Sequence, residues 1–279
     1  MNGLRASTRE ISPTVSGNSL KTVQRALLGL FLAAAGVLIA QRFISFPLPS
    51  GDGIWDAGVL VLALVTTLVS LSAQLPFQNV LLAAVIIGVI GGAIHSLGFI
   101  TGIPFGPLVY TEDSGPQLFN TLSWSAPLIW IVVILNSRGV ARLILRPWRR
   151  LRVYGYWLIG ITTVLALLFD FGLEPFATRI NHFWFWRPTK LAIDWYGTPV
   201  SNFLGWLVST LLILAFATPS LMKKKPAKSS PDYGPLAVWI ALSLLFIAGS
   251  VTQHLWLAAA VSAIGCLAVI PFAIHGARW

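Results

Sequence analysis

The sequence predicts an all-α membrane protein, a polytopic helical bundle of about eight transmembrane helices with both termini cytoplasmic, and three observations carry that prediction. Of 279 residues, 56% are hydrophobic and only 10% are charged, against roughly 25% charged in an ordinary soluble domain, which is too few to cover a surface in water. The apolar residues gather into eight runs; at about 20 residues per span, these use roughly 160 positions, nearly the whole hydrophobic complement. The basic residues collect on one side of those runs.

The runs lie at 27–44, 54–72, 80–99, 118–135, 153–171, 200–218, 236–251 and 255–273. Prolines punctuate the breaks, at Pro47 and Pro49, Pro76, Pro104 and Pro107, Pro147, Pro175 to Pro199, and Pro219 to Pro231, where a missing N–H and a fixed φ interrupt helices. The first run follows a long polar segment and reads as an uncleaved anchor, although Ala33, Ala34 and Ala35 resemble a signal-peptide cleavage site. Only Thr252, Gln253 and His254 separate the last two runs. A tight hairpin keeps the count at eight; a single bent helix reduces it to seven. No polar block is long enough for a soluble domain, so the expected organisation is a basic cytoplasmic segment at 1–25 and one transmembrane domain at 26–279. Cys266, the single cysteine, lies inside an apolar run, which excludes an internal disulfide.

The net charge is +10, and its distribution is an orientation signal. Arg5, Arg9, Lys21 and Arg25 precede the first run; Arg138, Arg142, Arg146, Arg149, Arg150 and Arg152 follow the fourth; Lys223, Lys224, Lys225 and Lys228 follow the sixth; Arg278 closes the chain. That places fifteen of nineteen basic residues on one side, while the other side holds seven of nine acids, Asp52, Asp56, Glu112, Asp113, Asp170, Glu174 and Asp194. The basic side is therefore expected in the cytoplasm of a multi-pass cell-membrane protein, attracted to anionic lipid; a nucleic-acid partner is not expected.

Familiar catalytic motifs are missing. The chain has no dinucleotide fingerprint, no phosphate-binding loop, no zinc-protease box and no nucleophile elbow. Its four histidines are too few for a membrane di-iron site, and Asp52 and Asp56 flank glycines in a loop rather than forming a convincing metal site.

Polar and aromatic residues instead concentrate on the outer side. One cluster runs from His95 through Thr101, Pro104, Phe105 and Gly106 to Tyr110, Glu112 and Asp113; the other runs from Asp170 to Trp206 through His182, Trp184, Trp186, Trp195, Tyr196 and Asn202. An interfacial aromatic belt explains tryptophans there. It does not explain Asp170, Glu174 and Asn202 beside apolar spans, where ionisable groups are costly and mark sites. Asp170 and Glu174 are four apart, so a continuing helix sets both on one face, and Pro175 is expected to end that helix. An enzyme site, a transporter of a small or lipidic molecule, and a non-catalytic scaffold all remain open on this reading.

These residues resemble a known family. The stretch from Thr101 to Pro107 with Tyr110 is similar to the T-G-x-P-F-G-x-x-x-Y signature of the carotenoid 1,2-hydratases of the CruF type, the γ-carotene, lycopene and bisanhydrobacterioruberin hydratases. Asp170 with Glu174-Pro175, Trp184 with Trp186, and Tyr196-Gly197, Pro199, Asn202-Phe203 and Gly205-Trp206 also resemble that family's motifs, so the likeness covers about residues 80–210. Glu174 stands where the family usually has aspartate, and His95 where it often has a carboxylate.

The resemblance implies hydration of the terminal double bond of an acyclic carotenoid end to a tertiary alcohol, a lyase-type reaction that needs no cofactor or metal. Such chemistry requires a proton donor, which a desolvated carboxyl group beside a second one supplies. Asp170 and Glu174 are the expected acid and coupled partner. Trp184, Trp186, Trp195 and Tyr196 are candidates to steady a cation, Asn202, His182 and His95 to hold water, and Tyr110, Glu112, Asp113 and Trp206 to complete the substrate- and water-binding set.

Overall fold

A computed structural model describes residues 17–44, 46, 52–189, 193–222 and 230–279. Arg5, Arg9, Lys190, Lys223, Lys224, Lys225 and Lys228 lie outside the described residues, as do residues 1–16 of the N-terminal segment. Within them stand eight helices long and apolar enough to cross a membrane: α1 (Gly17–Phe43), α2 (Asp52–Ser72), α3 (Phe77–Thr101), α4 (Ser125–Ile144), α5 (Tyr154–Pro175), α6 (Val200–Ala217), α7 (Gly234–Thr252) and α8 (Trp256–Ala277). Twenty residues at about 1.5 Å each give roughly 30 Å, the thickness of the hydrocarbon layer. α7 and α8 are separate: the chain turns at Gln253–Leu255 with His254 at φ 56°. The hairpin, not the single bent helix, is the observed arrangement.

Three spans depart from the runs read in the sequence, the first because α1 begins at Gly17, ten residues before 27. Residues 118–124 are not helical; β2 (Gln117–Leu118) pairs with β3 (Leu122–Ser123) through a turn in which Phe119 and Asn120 have φ of 54° and 55°. α4 therefore starts later and ends later than 118–135, and it carries Arg138 and Arg142 in its last turns rather than beyond its end. Arg138 is buried and donates from Nη2 to the Leu221 carbonyl at 3.1 Å, and Arg142 donates to Gln74 Oε1 at 3.3 Å. The fifth span also runs on. Pro175 does not end it, because a wider turn at Phe176–Ile180 follows the proline and continues the helical path. Asp170 and Glu174 consequently lie inside a span, not at its edge.

α4 is the hub, packed against α2, α3, α5, α7 and α8. Its buried face includes Trp130, Val132, Val133 and Ile134. The outward faces of α1, α3 and α6 keep exposed Leu30, Leu82, Val89, Leu204 and Val208, as helices solvated by lipid require. Near the end away from Arg138 and Arg142, Phe105 is inserted between α3 and α6. A Cβ on Gly98 would lie 2.8 Å from its ring and one on Gly205 2.5 Å, so both helices are notched with glycine to receive it. The same economy lets Trp130 of α4 close on α3, where a Cβ on Gly91 would stand 2.5 Å away.

Candidate active site

At the end of the bundle away from Arg138 and Arg142 the loops fold over the helices as short antiparallel pairs. β1 (Leu108–Tyr110) pairs with β4 (Trp184–Trp186), with Tyr110 opposite Trp184 and Leu108 opposite Trp186; β5 (Asp194–Trp195) pairs with β6 (Thr198–Pro199). The two-residue period of a strand explains the aromatic spacing. Trp184 and Trp186 share the inward face while Phe185, between them, is exposed.

That inward face meets Glu174. Its Oε2 accepts from Trp186 Nε1 at 3.0 Å, Thr198 Oγ1 at 3.1 Å and Trp184 Nε1 at 3.3 Å. Asn202, on the first turn of α6, uses its amide as a bridge, donating from Nδ2 to Glu174 Oε1 at 3.2 Å and to Asp170 Oδ2 at 3.0 Å. The three residues are sealed, with Asp170 0%, Asn202 1% and Glu174 3% exposed. Every bond made to the pair comes from a neutral amide, indole or hydroxyl, and among the described residues no basic side chain forms a salt bridge with either acid. Asp170 Oδ1 is buried and has no hydrogen-bond partner. The pair thus has four donors gathered on Glu174 and an open oxygen on Asp170, two buried carboxyls with only neutral partners to balance them.

Glu174 opens onto a cavity of about 20 Å3 that His95, Tyr110, Trp130, Trp184, Trp186 and Trp206 help to line. A water needs about 10–15 Å3 and two to four polar partners. The Tyr110 hydroxyl lies 3.4 Å from His95 Nδ1. Trp130 and Trp206 stack at 4.0 Å between centroids, and both of their indole N–H groups are buried without a partner. Burial raises the pKa of the Tyr110 phenol above the ordinary tyrosine value, so the group remains an O–H donor. Asp170 lines neither this cavity nor its larger neighbour; of the two acids, Glu174 is the one that reaches open space.

The larger neighbour is a chamber of about 810 Å3 between α2, α4, α5 and α7. It shares Ser125, Ile129, Leu173 and Trp184 with the small cavity. At its wall Arg42 Nη2 donates to Asn181 Oδ1 at 3.0 Å and lies 3.9 Å from Asp56 Oδ1, and Asn181 donates to Asp56 Oδ2 at 3.0 Å. This latch ties α1 and α2 to the turn after α5.

Of the residues singled out in the sequence, the structure brings together Asp170, Glu174, Asn202, Trp184, Trp186, Trp206, His95 and Tyr110. Glu112 and Asp113 are exposed and line the chamber. His182 is exposed, and its carbonyl accepts from Thr111 Oγ1. Trp195 donates to the Phe171 carbonyl at 3.0 Å, and the Tyr196 hydroxyl accepts from the Ala258 N–H at 3.4 Å. These last three side chains stand outside both cavities. Thr198 and Trp130 were not singled out, yet both are fully buried at the site. A hydroxyl between Gly197 and Pro199, and a tryptophan in mid-span rather than at a belt, were the available signals. Among the described residues no three His, Cys, Asp or Glu side chains gather as a metal site.

A family model described as carotenoid biosynthesis protein matches residues 56–270. Over 136 residues the chain is 30% identical to a bisanhydrobacterioruberin hydratase of Haloarcula japonica, a match that takes in 48% of this chain. The matched part spans 44% of that relative's length. No solved structure matches.

Proposed function

This chain belongs to the carotenoid biosynthesis protein family, and on that premise we propose that it is a carotenoid 1,2-hydratase, adding water to the terminal double bond of an acyclic carotenoid end of the γ-carotene or lycopene type. The observation that carries the reading is the sealed carboxyl pair, with neutral donors on Glu174 and an unpartnered oxygen on Asp170. The hydratase name of the relative agrees with it.

The reaction balances without a redox change. The pair holds one proton; Glu174 delivers it to C2 of the alkene, and the positive charge develops on the tertiary carbon C1. Trp184 and Trp186 donate to the carboxylate left behind, so the anion formed in the step is already solvated. Aromatic faces around the site steady the cation by about 0.5–2 kcal/mol each. A water held by Tyr110 and His95 attacks C1, and its surplus proton goes to the Glu174 carboxylate, which the Asn202 amide holds beside Asp170. Both the new hydrogen and the new hydroxyl come from water.

The test uses membranes carrying the full chain, supplied with lycopene or γ-carotene under anaerobic conditions in heavy-oxygen water. The expected product is a tertiary alcohol carrying the heavy oxygen, with one solvent hydrogen at C2. A product that forms only with molecular oxygen, and takes its oxygen from it, overturns the reading.

A further inference from the structure

The small cavity, at about 20 Å3, has room for a water and not for a branched hydrocarbon. The chamber, at about 810 Å3, lies within the roughly 300–1,000 Å3 of sites that enclose organic ligands. Trp184, Leu173, Ile129 and Ser125 line both. Trp184 is both wall and site residue, since its ring lines the chamber while its N–H rests on Glu174 at 3.3 Å.

The chamber's chemistry specifies its occupant. Val132, Val133, Leu242 and Leu245 form an apolar floor, and Phe169 and Phe246 add ring faces. At the outer side stand the exposed acids Glu112 and Asp113. Arg42, the basic residue of the lining, is turned onto Asn181 and Asp56 and lies 5.2 Å from the Phe176 ring centroid. An anionic phospholipid headgroup would therefore meet acids, whereas an uncharged hydrocarbon is matched by the apolar floor and ring faces.

Resting on the hydratase reading for the ligand's identity, we propose that this chamber is the binding site of the uncharged isoprenoid end of the substrate, with Trp184, whose N–H rests on Glu174, as the partition between that end and the water cavity onto which Glu174 opens. The chamber then sets which chain ends are accepted, and the small cavity sets what is added to them.

Binding can be read without turnover. The Glu174→Gln chain, purified in detergent after incubation with lycopene, should retain the pigment at a defined stoichiometry, measured by visible absorbance. Adding Val133→Phe or Leu242→Phe should lower bound lycopene by roughly tenfold or more with the melting temperature held, because each ring occupies the chamber. Val89→Phe, on the exposed face of α3, should leave it unchanged. Squalene should displace lycopene, and hexadecane, which has neither branches nor alkenes, should not. Full retention in both chamber variants, equal displacement by hexadecane, or no lycopene bound to the unfilled chain overturns the proposal. Lycopene held and displaced as expected by a chain that forms no alcohol with Glu174 intact would leave the chamber assignment standing and sink the hydratase reading instead.

Discussion

Two groups of buried or half-buried acid lie at opposite ends of the bundle, and they are built differently. At the basic end, half-buried Asp232 accepts from Gln24 Nε2 at 3.2 Å, Ser70 Oγ at 2.5 Å, Gln74 Nε2 at 2.7 Å and the Gly234 N–H at 2.9 Å. Both of its oxygens are in use, and the bonds come from α1, the end of α2 and the start of α7, so the carboxylate is a clasp between helices. At the opposite end, Glu174 is equally well supplied, but its neighbour Asp170 keeps an oxygen with no partner, and Glu174 borders a cavity. Hydrogen bonds in water-poor surroundings stabilise; an incomplete set beside open space stores capacity for chemistry. The Arg42–Asp56 latch is a third solution, in which a cation is the partner and no proton is needed.

Substitutions can break that comparison, and the largest effect falls on Glu174. Glu174→Gln keeps shape and removes the proton carrier, so alcohol formed per folded enzyme should fall by about 10² to 10⁴. Asp170→Asn takes away the second site for the proton without touching the cavity wall. Losing a charge-assisted interaction of about 1.5–3 kcal/mol corresponds to a rate roughly 10- to 100-fold lower, and a larger loss than in Glu174→Gln would reverse the assigned roles. Trp186→Phe deletes one of the donors on Oε2 and should slow turnover by about fivefold, the equivalent of a hydrogen bond near 1 kcal/mol. No slowing there would mean that the indole only packs. Asp232→Ala should leave turnover per folded enzyme unchanged while lowering stability by about 1–3 kcal/mol, because donors on three elements lose their acceptor. Thermal unfolding in detergent reads the second effect, and a turnover loss as large as that at Glu174 would erase the contrast between the two ends.

How much of this was legible in the sequence follows from the range of the forces involved. The spans were legible because lipid demands about 20 apolar residues in a row, a local requirement. The start of α4 was not: Leu118 and Leu122 are apolar enough to extend the run, and only the turn at Phe119 and Asn120, with positive φ, makes a hairpin of them. The continuation of α5 through Pro175 was likewise invisible, since the wider turn that admits the proline is set by packing around Phe176. For the site, spacing places Asp170 with Glu174, and strand alternation places Trp184 with Trp186, because both periods are local. Asn202, Thr198 and Trp130 meet them across 28, 24 and longer separations in the chain. Asn202 stood out as an amide beside an apolar span; Thr198 and Trp130 have meaning only once the helices are assembled. The chamber, shared by α2, α4, α5 and α7, leaves no mark in any one segment.

The central claim is that the pair of Asp170 and Glu174 holds a proton, and infrared spectroscopy of the purified protein at neutral pH measures this directly. The account predicts a protonated-carboxyl stretch that shifts in heavy water, persists in Asp232→Ala and disappears when Asp170→Asn and Glu174→Gln are combined. The absence of that band from the wild type, or its survival in the combined variant, would contradict the account.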